Sequence, residues 1–207
     1  AANPRVMIRG STVLALAVQD QRASLMMGKS PDFVGLSRGG FGNTFDIGTV
    51  SGQPLAVDFA TSIGRGLASA GFRVIAVNVA DRMLPQQLRD ALFKTGAQRG
   101  LVVQIQEWKS DTYQNTALHY SVTVLVLDPS GQELGRAAIN GNDNLGGSFW
   151  APAGYAEDNV PPAYAQKLEQ LLNDPAILRA LAPTPSGPPP PQPAAPPTEP
   201  SVTVPSS

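Results

Sequence analysis

Residues Val13-Leu14-Ala15-Leu16-Ala17-Val18 form an unbroken apolar run that stops at Gln19-Asp20-Gln21-Arg22. Six apolar residues make a strand rather than a helix, and with no polar side to offer water this strand must be buried. The fold therefore has to place other elements around it. Asp20 and Arg22 lie two apart at its end and share a face if the strand continues. That pair has two readings. It is an ion pair that ends the strand and anchors the following loop, or a charged contact for a ligand or partner.

The stretch from Ala23 to Gln53 is rich in Gly and Ser and includes Ser37-Arg38-Gly39-Gly40-Phe41-Gly42-Asn43. It reads as a long irregular loop, a length that in compact domains usually signals function or mobility. Arg38 and Phe41 are its candidate contact residues. Pro54 then suits the first turn of a helix, and Leu55, Phe59, Ile63 and Leu67 recur every four residues as an apolar stripe. Phe72 to Val79 reads as a strand. A second helix begins near Pro85 and buries Leu88, Ala91 and Leu92. Leu101, Val103 and Ile105 alternate with Val102, Gln104 and Gln106 as a half-buried strand, and Leu118, Tyr120, Val122, Val124 and Val126 with His119, Ser121 and Thr123 in a longer one. Asp128-Pro129-Ser130-Gly131 is a turn, and Glu133 to Ile139 is the returning strand of a hairpin. A last helix runs from about Pro162 to Leu172, is interrupted at Asp174-Pro175, and resumes to Leu181. The expected fold is α+β, one domain, with a mixed or antiparallel sheet of about five strands and helices packed on it. The order is β-α-β-α-β-β-β-α.

Boundaries follow from composition. Residues 1–11 read as a leader or linker and 12–182 as the folded domain. Residues 183–207, dominated by Pro as far as Pro200, read as a disordered, extended tail. Of 207 residues, 15% are charged and the net charge is −1, so the chain lacks the basic face that nucleic acid requires. Nor does it offer a polybasic membrane patch. Zero cysteines exclude disulfides, thiolate nucleophiles and thiolate zinc sites. The opening Ala1-Ala2-Asn3-Pro4 reads as a processed or trimmed N-terminus, and no apolar run is long enough to cross a bilayer.

Four patterns hint at chemistry and each falls short. Gly28-Lys29-Ser30 ends like a phosphate loop, but Ala23 stands where the first Gly belongs and Pro31 disfavours the helix that should open there. Gly35-Leu36-Ser37-Arg38-Gly39 spells a nucleophile elbow without a visible strand before or helix after it. His119, the single histidine, lies on the polar side of a strand with no metal-ligating partner in sequence. Asn140-Gly141-Asn142-Asp143-Asn144 is rich in oxygen ligands but lacks the spacing of a calcium loop, and reads as a plain loop. No metal or cofactor is expected. Phe149-Trp150-Ala151-Pro152, with Tyr155, reads as a core cap or a contact patch, and Trp108 shares that choice.

The element order, with Val18-Gln19-Asp20-Gln21-Arg22, Leu67-Ala68-Ser69-Ala70-Gly71-Phe72-Arg73-Val74, Val102-Val103-Gln104-Ile105, Tyr120-Ser121-Val122-Thr123-Val124 and Leu171-Leu172-Asn173-Asp174, resembles the YajG-like bacterial lipoproteins. The resemblance covers Val13 to Leu181. It implies an exported, periplasm-facing protein, lipid-anchored to the outer membrane through an N-terminal cysteine that this chain lacks. It implies no catalytic residues.

The sequence thus leads to a non-enzymatic accessory or binding factor of the cell envelope. Its partner is an envelope protein or cell-wall component, and Asp20, Arg22, Arg38, Phe41, Trp150 and Tyr155 are the candidate contacts. The alternative is a homo-oligomeric, ring-forming subunit for secretion or polysaccharide export. An envelope hydrolase using Ser37 is a third reading.

Overall fold

A computed structural model describes residues 2–39, 43–147 and 152–182. Phe41, Trp150 and the tail 183–207 lie outside the described residues, as does the side chain of Tyr155. In chain order the elements are β1 (Val13–Asp20), α1 (Ala23–Met26), β2 (Phe33–Arg38), β3 (Thr44–Gly48), α2 (Leu55–Ser69), β4 (Arg73–Ala76), α3 (Pro85–Phe93), β5 (Arg99–Thr112), β6 (Thr116–Leu127), β7 (Glu133–Asn144), α4 (Pro152–Leu172) and α5 (Pro175–Leu181). The α+β expectation holds. Its order β-α-β-α-β-β-β-α is found once α1, β2 and β3 are inserted after β1 and α5 is added at the end.

All seven strands belong to one mixed sheet organised by β5. On one side β5 pairs antiparallel with β6 along its whole length, and β6 with β7. On the other side it serves two parallel partners in tandem. Residues 99–105 pair with β1, and Ser110–Thr112 pair with Gly35–Ser37 of β2. β4 adds parallel to β1, and β3 antiparallel to β2.

The structure corrects the sequence reading in three places. Ala23–Gln53 is not one irregular loop, because its middle forms the hairpin β2–β3, and the sheet has seven strands rather than about five. A Gly-rich segment becomes a strand here because β5 supplies a template, a long-range effect that local propensity does not carry. Gly35 is needed for that approach, since a Cβ there would lie 2.6 Å from the Ser110 carbonyl oxygen. Residues Asn140–Asn144 likewise extend β7 rather than forming a loop. The last long helix starts at Pro152 and carries Pro161 and Pro162 within it.

Both faces of β1 are covered. Leu14, Leu16 and Val18 pack in the larger core, with Leu55, Phe59, Ile63 and Leu67 of α2 and Leu168, Leu171 and Leu172 of α4. Ala15 and Ala17 meet Leu88 and Leu92 of α3 in a smaller one. Small side chains on that side let α3 approach closely. Residues 2–11, the described part of the expected leader or linker 1–11, have no regular structure yet are packed down. Pro4 is buried, the Arg5 N–H donates to Glu169 Oε1 (2.9 Å), and the Met7 N–H donates to Asn173 Oδ1 (2.7 Å). Among the described residues no helix is long and apolar enough to cross a membrane.

Candidate functional site

The charged corner after β1 sits at a break in the sheet. The Gln21 N–H still donates to the Ile105 carbonyl (2.8 Å), but β2 joins β5 only at Ser110. Arg22 fills the gap. Its Nε and Nη2 donate to Asp20 Oδ1 (2.8 Å) and Oδ2 (2.7 Å), and Nη2 also donates to the Pro31 carbonyl (3.1 Å). Nη1 donates to the carbonyls of Phe33 and of Trp108, the latter at 3.5 Å. All five guanidinium donors thus face acceptors on β1, β2, β5 and the intervening loop. Asp20 and Arg22 are 5% and 2% exposed, so this pair is an internal staple sealed from any partner.

Directly above it lies a groove of about 630 Å³, within the general range of about 300–1,000 Å³ for ligand pockets. Its floor is the sheet, with Val34 and Ser37 of β2 and Trp108, Ser110 and Thr112 of β5. One wall is Leu55 and Asp58 of α2, and another is Val160 to Ala165 of α4. Ile47, Thr49 and Val50, at and beyond the end of β3, form the outer lip. An aromatic cluster stiffens the floor. Trp108 packs edge-on against Phe59 (5.4 Å) and Tyr164 (5.6 Å), and Tyr164 against Phe59 (5.1 Å). Such contacts add to simple burial and hold ring orientations. The Tyr164 hydroxyl donates to Ser62 (3.1 Å), and burial pushes its pKa well above the usual phenol value. Trp108, 3% exposed, is a core residue that also floors the groove.

Arg38, at the end of β2, grips Asp111 on β5 with two bonds of 3.0 and 2.8 Å. That grip, ahead of a weaker opposing effect of burial, holds the Asp111 carboxyl below its usual value and raises Arg38. The pair is partly open, at 39% and 24% exposure, and ties the hairpin to the sheet. Lys109, Asp111 and His119 share one face, since Lys109 is paired with His119 across the strands. Ser37 lines the groove on the other face. The elbow motif lies within a strand, and its Ser and the histidine are separated by the sheet. Lys29 of the phosphate-loop remnant is bound to Asp46 (2.6 Å) and lies over the Phe33 ring.

Sequence reasoning missed Lys167. On α4 its Nζ lies 2.7 Å from Asp143 Oδ2, donates to Tyr120 Oη (2.8 Å) and sits 4.2 Å over the Tyr120 ring, while the Tyr120 hydroxyl donates to Asp143 Oδ1 (3.0 Å). Lys167 holds Asp143 below the usual carboxylate range. Burial works to lower Lys167, but Asp143 and Tyr120 outweigh it and raise its pKa. The signal was present: Lys167 interrupts the apolar stripe Ala163, Tyr164, Leu168, Leu171 of its helix. Among the described residues no cluster of His, Cys, Asp or Glu could hold a metal.

No family model matches the sequence, and no curated protein is similar to it. Solved structures do give matches. A Xanthomonas campestris protein described as a DUF330 member superposes with a TM-score of 0.54 at 14% identity, covering 86% of this chain and 92% of its own. Lipoprotein GNA1162 from Neisseria meningitidis gives 0.40 at 15% identity, covering 76% and 98%. The PelC dodecamer from Paraburkholderia phytofirmans gives 0.39 at 19% identity, covering 84% and 96%. The first of these likenesses establishes a common fold with the Xanthomonas protein, and the fold alone.

Proposed function

We propose that the chain is a non-enzymatic binding domain of the bacterial envelope that receives apolar side chains of a partner protein in the groove between its sheet and helices α2 and α4. One observation carries this reading: the apolar lining does not end inside the groove. It runs onto an exposed lip through Ile47 and Val50, 38% and 91% exposed, and on to Phe45, 57% exposed. A lip of that kind marks a protein contact more than an enclosed small-molecule site. The separation of Ser37 from His119 by the sheet supports a non-catalytic role. The placement in the periplasm, lipid-anchored to the outer membrane, rests on the YajG-like resemblance. The encoded sequence upstream of Ala1 tests it: an export signal ending in a lipobox cysteine is expected, and its lack removes the anchor.

The groove is tested by a photocrosslinking residue at Val50, with Ser130 on the β6–β7 turn as control, in cells of the source organism. A defined protein adduct at position 50, absent at 130 and lost when Ser37→Trp fills the groove, is the expected result. Equal adducts at both positions, or none at 50, overturns the reading. A homo-oligomeric ring subunit is the second reading. It is supported by β3, β4 and β7, which each have one strand neighbour only among the described residues. Light scattering at high concentration separates the two, because the second requires a defined oligomer.

A further inference from the structure

The opposite face of the sheet carries a different depression, and the topology explains why it is there. β1 lies between two parallel neighbours, β4 and β5. The chain reaches β4 through α2 on one face, then crosses back over β1 through α3 on the other face to reach β5. β1 is therefore a point where the winding direction reverses. In open α/β arrangements the carboxyl end of such a strand leaves a crevice between diverging connections. Here that end opens into a cleft of about 500 Å³ lined by Gln21, Arg82, Met83, Leu84, Gln87 and Gln106.

Its side chains are positioned rather than loose. Gln106 is the extra residue of a β-bulge, between Ile105 and Glu107 where β6 offers only Val122 and Ser121. A bulge of that type re-aims a side chain, and its amide lies 3.2 Å from the Thr123 hydroxyl. The Gln21 amide donates to the Asp81 carbonyl (3.2 Å). Beneath them Gln19, 1% exposed, donates to the Ala80 carbonyl (3.1 Å) and accepts from Gln104 (3.2 Å). Arg82 rests against the Met26 thioether at 2.8 Å and, among the described residues, has no carboxylate within ion-pair distance. The first turn of α3, which no side chain caps, closes the far end.

We propose that this cleft is a second binding site, distinct from the groove, for a small hydroxyl-bearing anion of the sugar-acid or sugar-phosphate class. The Gln87 amide offers a paired donor and acceptor that match vicinal hydroxyls, and Gln21, whose amide N–H groups are held by Asp81 and Gln19, adds a carbonyl acceptor. The unpaired guanidinium selects a carboxylate or phosphate. Met83 and Leu84 give an apolar edge for the C–H face of a ring.

The test is backbone and side-chain amide NMR on the full chain, titrated separately with glucuronate, glucose 6-phosphate, glucose and inorganic phosphate. Glucuronate or glucose 6-phosphate is expected to shift the Gln21, Gln87 and Gln106 amides, and the comparison of these two assigns the anion. Arg82→Gln should weaken that binding about tenfold, while Arg38→Gln, at the end of β2 and outside the cleft, leaves it unchanged. Shifts confined to other regions overturn the proposal, as does no shift with either sugar anion. So does glucose or inorganic phosphate binding as tightly as the sugar anions, or Arg82→Gln binding as the parent does. Arg82 is exposed, so the variant keeps its fold.

Discussion

The two depressions are built from the same strands and have opposite chemistry. The groove on the α2 and α4 side is apolar and stands on a buried ion pair, Asp20–Arg22. The cleft on the α3 side is polar and stands on a neutral amide pair, Gln19–Gln104. The four residues Gln19-Asp20-Gln21-Arg22 sort themselves between the two by the period-two alternation of a strand. A charged pair beneath an apolar groove has no water to fall back on and must be saturated internally. Amides beneath an open cleft can share their bonds with solvent or a ligand. The difference teaches that one strand end can be rigid on one face and adaptable on the other.

Breaking the groove's foundation gives the largest effect. Arg22→Ala leaves the Asp20 carboxylate with only the long bond from the backbone N–H of residue 22 (3.4 Å) and takes a side-chain donor from three backbone carbonyls. It should cost about 3–5 kcal/mol in urea unfolding, as expected for an orphaned buried charge. A loss under about 1 kcal/mol would show that water enters the gap and that the two foundations are alike. Gln19→Ala, the matching change beneath the cleft, takes a donor from the Ala80 carbonyl and an acceptor from the Gln104 and Gln21 amides and should cost about 1–3 kcal/mol. Equal losses for the two variants would erase the contrast.

Lys167→Met tests the far side of the groove face and should give a smaller loss with a distinctive pH profile. Asp143 has a depressed pKa, so its contribution is present above the ordinary carboxylate value, about 4, and disappears as pH falls through its lower folded value. Lys167 has a raised pKa, so its contribution is present below about 10.4 and disappears as pH rises through its higher folded value. The difference between parent and variant in unfolding free energy should be flat at neutral pH and fall off at both extremes. A monotonic profile would show that the two groups are not paired in solution. Smallest of all is Arg38→Ala at the end of β2, where water screens the pair. The urea midpoint should barely move, and added salt should leave the variant less affected than the parent.

What the sequence revealed was local. The apolar run of β1, the alternation of β6, the turn at Asp128–Gly131 and the four-residue stripe of α2 each carry their own pattern, and each element formed. The hairpin β2–β3 carries none, because its order comes from pairing with a strand some 75 residues downstream. Gly35 and Gly141 misled for the same reason. Each looks like a loop residue, yet each is a glycine because another group comes close, Ser110 in one case and the Tyr120 hydroxyl, 2.6 Å from where a Cβ would stand, in the other. Asp20 and Arg22 were legible as a pair but not as a sealed one, since burial depends on β5. Arg38 was legible as a candidate contact residue but not as the partner of Asp111.

The tandem use of one edge of β5 also sets the order in which this molecule can come into being. β1 and β2 are made first, yet both wait for residues 99–112 before their main partner exists. Until then the nascent chain holds only the short β2–β3 hairpin and a four-residue match between β1 and β4. β5 can pair at once with β6, its immediate successor, and that hairpin offers a ready template with one free edge. Long-range closure of this kind is slow compared with hairpin formation. The main pairing of the N-terminal strands is thus open to the chain only once its C-terminal half is present, and Arg22 spans a junction that does not exist until β5 does.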